Sequence, residues 1–184
     1  ESERSLFTLR RQLADLDYQE VVNFSFIEEE AELDFADNRD PVRLLNPIAS
    51  QMSVMRSQLI SGLAANVRYN LNRKASRVRV FEIGAVFAKD AAVQDGPLAV
   101  AGYSQPKRVA ALAYGGVAEE QWGQPARNVD FFDVKADLEA LFAPIAVRFE
   151  PAAHPALHPG RSAVVLLNGK TIGIIGELHP KLQQ

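Results

Sequence analysis

Residues 162–178 read SAVVLL, then Asn168-Gly169, then KTIGIIGEL. Asn-Gly between two apolar runs constrains the fold more than any other stretch of the chain. A two-residue type I′ turn needs φ > 0 at both central positions, which Asn and Gly tolerate, and its twist matches the strands it joins. At least one antiparallel hairpin follows. The same residues, Asn168 to Thr171, invite a phosphate-loop reading. That motif needs a glycine at position 164, where Val164 stands, and it opens a helix instead of turning a hairpin. The plain turn is the better reading.

Helices and strands alternate along the rest of the chain. Leu6, Leu9, Leu13 and Leu16 recur at helical spacing and predict an amphipathic helix over Glu3–Asp15. YQEVVNFSFI (18–27) is rich in β-branched and aromatic residues and predicts a strand. EEEAEL (28–33) suits a short helix, PVRLLNP (41–47) a short strand ended by Pro47, and IASQMSVMRS (48–57) a loop. Leu59, Leu63, Val67 and Leu71 put one apolar stripe on a helix from Gln58 to Arg73, whose basic end suits the helix dipole.

A strand over Arg79–Asp90 comes next, then a polar loop (89–107), a strand (108–116) and a second loop (118–128). DFFDVKADLEALF (130–142) predicts a helix capped by Asp130 or Asp133. IAVRFEP (145–151) predicts a strand, and AAHPALHPGR (152–161) a loop pinned by Pro155 and Pro159 and released at Gly160. The expected class is α+β, a mostly antiparallel sheet flanked by helices, in a single domain over 1–184.

The 184 residues can bury roughly 70% of the surface exposed when unfolded. A net charge of −3 argues against a dedicated nucleic-acid module, which would be basic. With no cysteine, disulfides, thiolate nucleophiles and sulfur-based zinc sites are excluded. No apolar run reaches the roughly 18 residues that span a bilayer. ESERSLFTLRR lacks a signal-peptide pattern, and the absence of an initiator Met together with the ending HPKLQQ suggests a chain cut from a longer one.

Few residues suggest chemistry. His154 and His158 have metal-ligand spacing only on a helix, which Pro155 and Pro159 forbid; His179, also followed by proline, reads as a strand exit. Asp133 and Asp137 lie one helical turn apart, and a capping aspartate with a solvated neighbour is favoured over an acid/base pair. Lys135 points elsewhere on that helix. Arg68 to Arg79 holds five basic residues and no acid, matching either an RNA or acidic-partner contact or a solvated helix end. Glu82 sits among Val80, Phe81 and Ile83, where a carboxylate calls for a hydrogen-bond or ion-pair anchor such as Arg56, Arg77 or Arg79.

Taken in order, LDYQEVVNFSFI, LLNPIASQMSVMRSQLISGLAANVRYNLNRKASRVRVFEIGAVF, DFFDVKADLEALF, LHPGRSAVV and IGIIGELHP resemble the catalytic-like module of the β subunit of bacterial phenylalanine–tRNA ligase. The resemblance covers almost the whole chain. It implies a class II aminoacyl-tRNA synthetase-like sheet that keeps the fold without the reaction. In the first signature of that class, Asp17 precedes Tyr18 and Phe24 stands near the position of a proline. In the second, Ala88 occupies the place of the arginine that grips the ATP α-phosphate, and a methyl offers none of the donors of a guanidinium. Lys89 follows on the opposite strand face.

The third signature would lie beyond Gln184. No catalytic, cofactor-binding or metal residue is therefore assigned here. ATP and magnesium are implied for the holoenzyme alone. The implied partners are an α subunit in an α2β2 heterotetramer and, through it, tRNA, in the cytoplasm and without a membrane. Leu6 to Phe26 is the expected interface. Two alternatives stay open: a self-contained ATP-dependent ligase in which Arg56 replaces the clamp, and an RNA-binding module using Arg68 to Arg79.

Overall fold

The computed structural model describes residues 5–183. In chain order these form α1 (Leu6–Asp15), β1 (Gln19–Glu20), β2 (Phe26–Ile27), α2 (Glu29–Ala36), β3 (Val42–Arg43), β4 (Val54–Met55), α3 (Ile60–Leu71), β5 (Arg77–Ala85), β6 (Ala88–Lys89) and β7 (Tyr103–Ser104). They continue with β8 (Lys107–Gly115), α4 (Phe131–Phe142), β9 (Arg148–Pro151), β10 (Leu157–Leu167) and β11 (Lys170–Leu178). Single 3-10 turns occupy Ser50–Met52 and Pro180–Leu182. The class is α+β, and the strand pairs formed by β2–β4, β3–β4, β6–β7, β9–β10 and β10–β11 are all antiparallel.

The chain divides into two units, one built from Glu1–Gln19, Asn70–Arg79 and Ala113–Gln184, the other from Glu20–Tyr69 and Val80–Leu112. A further three-stranded sheet has the order β1-β5-β8.

The first unit is organised by a sheet of order β11-β10-β9. Leu167 pairs with Lys170 and Leu166 with Thr171, so Asn168-Gly169 forms the expected two-residue turn, with φ of 51° and 78°. Ala163, Val165 and Ile175 point to one face and pack with Phe131, Val134 and Leu138 of α4. The α4 start is a full capping box. Asp130 accepts from the N–H groups of Phe132 and Asp133, and the Asp133 carboxylate accepts from Asp130 N–H. The expected cap is thus shared by both aspartates. Helix α1 starts at its cap Ser5; the two predicted positions before it, 3 and 4, lie outside the described residues.

The second unit places β4 between β2 and β3 and pairs β6 with β7. Helix α3 begins at Ile60, with the Gln58 side chain accepting from Ser61 N–H at 2.8 Å, and closes where Lys74 adopts a left-handed φ of 67°.

Five expectations are corrected. The strand over 18–27 is two short strands separated by 21–25, because the Asn23 backbone N–H bonds to a side chain, Glu82, instead of a ladder partner. The loop over 48–57 contains β4, and PVRLLNP keeps only Val42–Arg43 in a strand. The strand over 79–90 ends at Ala85, and Val86 N–H turns aside to Pro106 O. The 152–161 loop ends early: β10 begins at Leu157, and its pairing with β11 shifts register between Leu157 and Ser162, which absorbs Pro159 and Gly160 as a bulge.

Gly115 and Gly123 share φ of 86°, but a Cβ on Gly115 would lie 2.1 Å from Ser76 O, whereas one on Gly123 meets nothing within 4 Å. We expect Gly123→Ala to cost about 1 kcal/mol through backbone strain alone, and Gly115→Ala to cost distinctly more. Urea unfolding of the two variants measures the difference. Equal losses would contradict the close approach.

Candidate functional site

Glu82 is the carboxylate that the sequence marks, and the structure makes it the centre of the second unit. Val80, Phe81 and Glu82 are consecutive and all buried, so β5 is covered on both faces at that point. Glu82 is 2% exposed and Arg56 4%. Arg56 Nη1 donates to Glu82 Oε1 at 2.7 Å, and its Nε donates to Ala85 O at 3.1 Å. The other donors come from Asn23: its N–H reaches Oε1 at 3.3 Å and its Nδ2 reaches Oε2 at 2.8 Å. Asn23 Nδ2 also donates to Asn66 Oδ1 of α3 at 2.9 Å. Of the three arginines available to anchor Glu82, Arg56 is the one that does so.

Two glycines leave room for this network. A Cβ on Gly84 would sit 2.3 Å from Arg56 Nη2, and one on Gly62 would sit 3.0 Å from Asn23 Nδ2.

A second buried carboxylate grips the next residue along. Glu32 of α2 is fully buried and accepts from Ser57 N–H at 2.9 Å and Ser57 Oγ at 2.5 Å. It also accepts from Asn38 Nδ2 at 2.7 Å and Gln58 Nε2 at 3.3 Å. Arg56 and Ser57, adjacent in MRS, are thus each held by a buried acid just before α3. Sequence reasoning missed Glu32, because four acids in IEEEAEL look equally solvated. Every oxygen of both carboxylates accepts a hydrogen bond, so the pair is equipped to position backbone.

Ala88 is exposed and stands in β6, paired with Ser104, so it belongs to a separate strand from Glu82. Its neighbour Lys89 ion-pairs with Asp40.

In the first unit, Asp137 is not the solvated neighbour expected of it. Its Oδ2 accepts from Tyr18 Oη at 2.8 Å and from the Arg79 guanidinium. The Arg79 guanidinium also lies 4.4 Å from the centre of the Tyr18 ring, a cation–π contact. Burial pushes the Tyr18 phenol up to about 12, against the opposing pull of Arg79. Asp133 is held down to about 2, chiefly by hydrogen bonds from Arg127 at 2.6 Å. Lys135 lies 4.9 Å from the Phe149 ring centre and 3.4 Å from Glu139.

The basic stretch splits into two groups. Arg77 pairs with Asp17 at 2.5 Å and Arg79 with Asp137, while Arg68, Arg73 and Lys74 are exposed. His154, His158 and His179 share one geometry: each Nδ1 accepts the N–H two residues on, from Ala156, Gly160 and Lys181 at 3.2, 3.1 and 3.2 Å. Among the described residues no three His, Asp or Glu side chains converge as a metal site, and no helix is long and apolar enough to cross a membrane.

These features define an α+β fold of small antiparallel sheets with two carboxylates buried among hydrogen-bond donors. The chain belongs to the family described as the phenylalanyl tRNA synthetase beta chain CLM domain, which matches residues 1–184. Over 184 residues it is 61% identical to the phenylalanine–tRNA ligase beta subunit of Cupriavidus pinatubonensis and 62% identical to that of Ralstonia nicotianae. Over 186 residues it is 58% identical to that of Bordetella bronchiseptica. Each match covers 100% of this chain and 23% of the relative, so the chain spans about a quarter of their length. Among solved structures, Desulfitobacterium hafniense PylSc, a pyrrolysyl tRNA synthetase, is similar with a TM-score of 0.53 at 14% identity, covering 91% of this chain and 54% of that one. That likeness concerns the fold.

Two predictions follow from the buried groups. Glu82→Ala strands the Arg56 charge in the core and should destabilise the chain by about 3–5 kcal/mol; adding Arg56→Met should recover a substantial part. Denaturant unfolding of the single and double variants tests this, and a double variant no better than Glu82→Ala would contradict it. Tyr18 has a folded pKa raised above the ordinary value of about 10. Its contribution is therefore full below pH 10 and lost as pH rises towards about 12. Ultraviolet titration should show a late tyrosinate step that is absent in Tyr18→Phe.

Proposed function

We propose that the chain is a non-catalytic, structural and assembly domain of a phenylalanine–tRNA ligase β subunit. It is a single catalytic-like module with a class II-like sheet, and it supports an α subunit that joins phenylalanine to its tRNA with ATP and magnesium. The assembly is an α2β2 heterotetramer working in the cytoplasm, and tRNA is met through the holoenzyme.

One observation carries the reading. Arg56, the arginine that could stand in for the phosphate clamp missing at Ala88, is buried and committed to Glu82 and Ala85 O. An ATP phosphate would have to displace a buried carboxylate to reach it. This disfavours a self-contained ligase. The RNA-binding alternative loses two of its five charges, because Arg77 is paired with Asp17 and Arg79 with Asp137, which weakens it.

The interface expected over Leu6 to Phe26 presents apolar surface in both units. Phe7 is 68% exposed on α1 of the first unit. In the second, Val22 is 89% and Phe24 71% exposed. Exposed aromatic side chains of this size are what subunit interfaces bury.

Phe7→Asp and Phe24→Asp should each leave stability within about 0.5 kcal/mol of the parent, because neither side chain is in the core. Each should weaken association with the α subunit at least tenfold, about 1.4 kcal/mol. Analytical ultracentrifugation of the β subunit with α measures this. Unchanged association in both variants would remove Leu6 to Phe26 as the interface.

A further inference from the structure

All three histidines of the chain are followed by proline: His154-Pro155, His158-Pro159 and His179-Pro180. In each case the ring Nδ1 accepts the N–H of the residue after the proline. This is the bond an Asn or Asp side chain makes in an Asx turn, here made by imidazole, with proline presetting the intervening φ.

The three turns lie together at the end of the β10–β11 hairpin away from Asn168-Gly169. His179 N–H donates to Ala156 O at 2.8 Å, and Leu157 N–H donates to His154 O at 3.0 Å. Leu157 pairs with Leu178. Ala156 and Leu157, held between the turns, are buried. A Cβ on Gly176 would approach Arg161 O to 2.6 Å and Leu157 Cδ1 to 3.0 Å, so the strands are closely packed here.

An imidazole can accept at Nδ1 only when neutral, with its proton on Nε2; imidazolium carries N–H at both nitrogens. Protonation would turn each acceptor into a donor facing a backbone N–H. All three bonds fail by the same chemistry. We propose that the three His-Pro turns form a proton-operated latch: neutral imidazoles hold the base of the β10–β11 hairpin closed, and their protonation releases it.

Arg161 and Glu177 pair with each other across β10 and β11 at 2.5 Å, Lys181 follows His179 in the 3-10 turn, and Glu150 lies on β9. Among the described residues no carboxylate forms an ion pair with any of the three rings. Burial, with no charged neighbour contributing, holds the His154 pKa below the ordinary histidine value. The sign follows. A group with a depressed folded pKa stabilises above its unfolded value, about 6.5 for histidine, and that stability is lost as pH falls through the folded value.

Hydrogen–deuterium exchange on the intact subunit, corrected for the pH dependence of intrinsic exchange, tests the latch. From pH 7.5 to 5.0 the amides of Ala156 and Leu157, beside the half-buried His154 ring, should exchange about tenfold faster. Those of Leu166 to Thr171, at the turn end, should change far less. The triple variant His154→Asn, His158→Asn, His179→Asn keeps a side-chain acceptor without a titrating group, and should stay protected at both pH values. If that variant does not fold, each single Asn variant should remove part of the pH response. No acid response in the wild type, or an undiminished response in every Asn variant, would overturn the proposal.

Discussion

The Glu82–Arg56 ion pair is the interaction on which the second unit depends. A carboxylate in the middle of a strand covered on both faces is tolerable only if its oxygens find donors. Arg56 supplies charge and Asn23 supplies two N–H donors. Those donors have to be brought in from distant parts of the chain, and that requirement shapes what surrounds β5. The segment 21–25 leaves the sheet to present Asn23. Arg56 is held close to β5, with its N–H bonded to Ser25 O at 2.9 Å and its O accepting from Phe87 N–H at 2.8 Å. A Cβ at 84 would overlap the Arg56 guanidinium, and one at 62 would press on the Asn23 side chain. Glu32 then fixes Ser57, so the entry into α3 is held by acids from two elements.

An arginine so engaged has lost the freedom to bind a ligand. Guanidinium is the side chain best suited to a phosphate, being planar, always charged and able to donate in pairs. Here that capacity is turned inward, to a carboxylate and a backbone carbonyl. At Ala88, outward and exposed, a methyl group stands instead. The charge that could serve phosphate chemistry in this part of the fold is engaged by Glu82 and Ala85 O, which supports the proposed assembly role.

The sequence disclosed local features well and long-range ones poorly. Asn168-Gly169, the Asp130–Asp133 cap and the stripe Leu59, Leu63 and Val67 were legible because their causes lie within a few residues. The family resemblance was legible from ordered blocks. What failed had distant causes. The break at 21–25 comes from a hydrogen bond 59 residues away in the chain, between Asn23 and Glu82. Asp137 looked solvated because Tyr18, its partner, is 119 residues distant. Glu32 was hidden in an acidic run whose other members carry no such burden. The His-Pro sequences were visible from the start, but read as loop punctuation, since nothing in composition shows which ring nitrogen accepts a backbone N–H.

The claim that this domain has kept its shape and set aside its chemistry is tested most directly by ATP–pyrophosphate exchange. The measurement uses the intact β subunit without α, in the presence of phenylalanine and magnesium at high protein concentration. The account predicts no exchange above background, with exchange appearing when α is added. Exchange by β alone that is abolished by Arg56→Met, in a variant shown to remain folded, would contradict it.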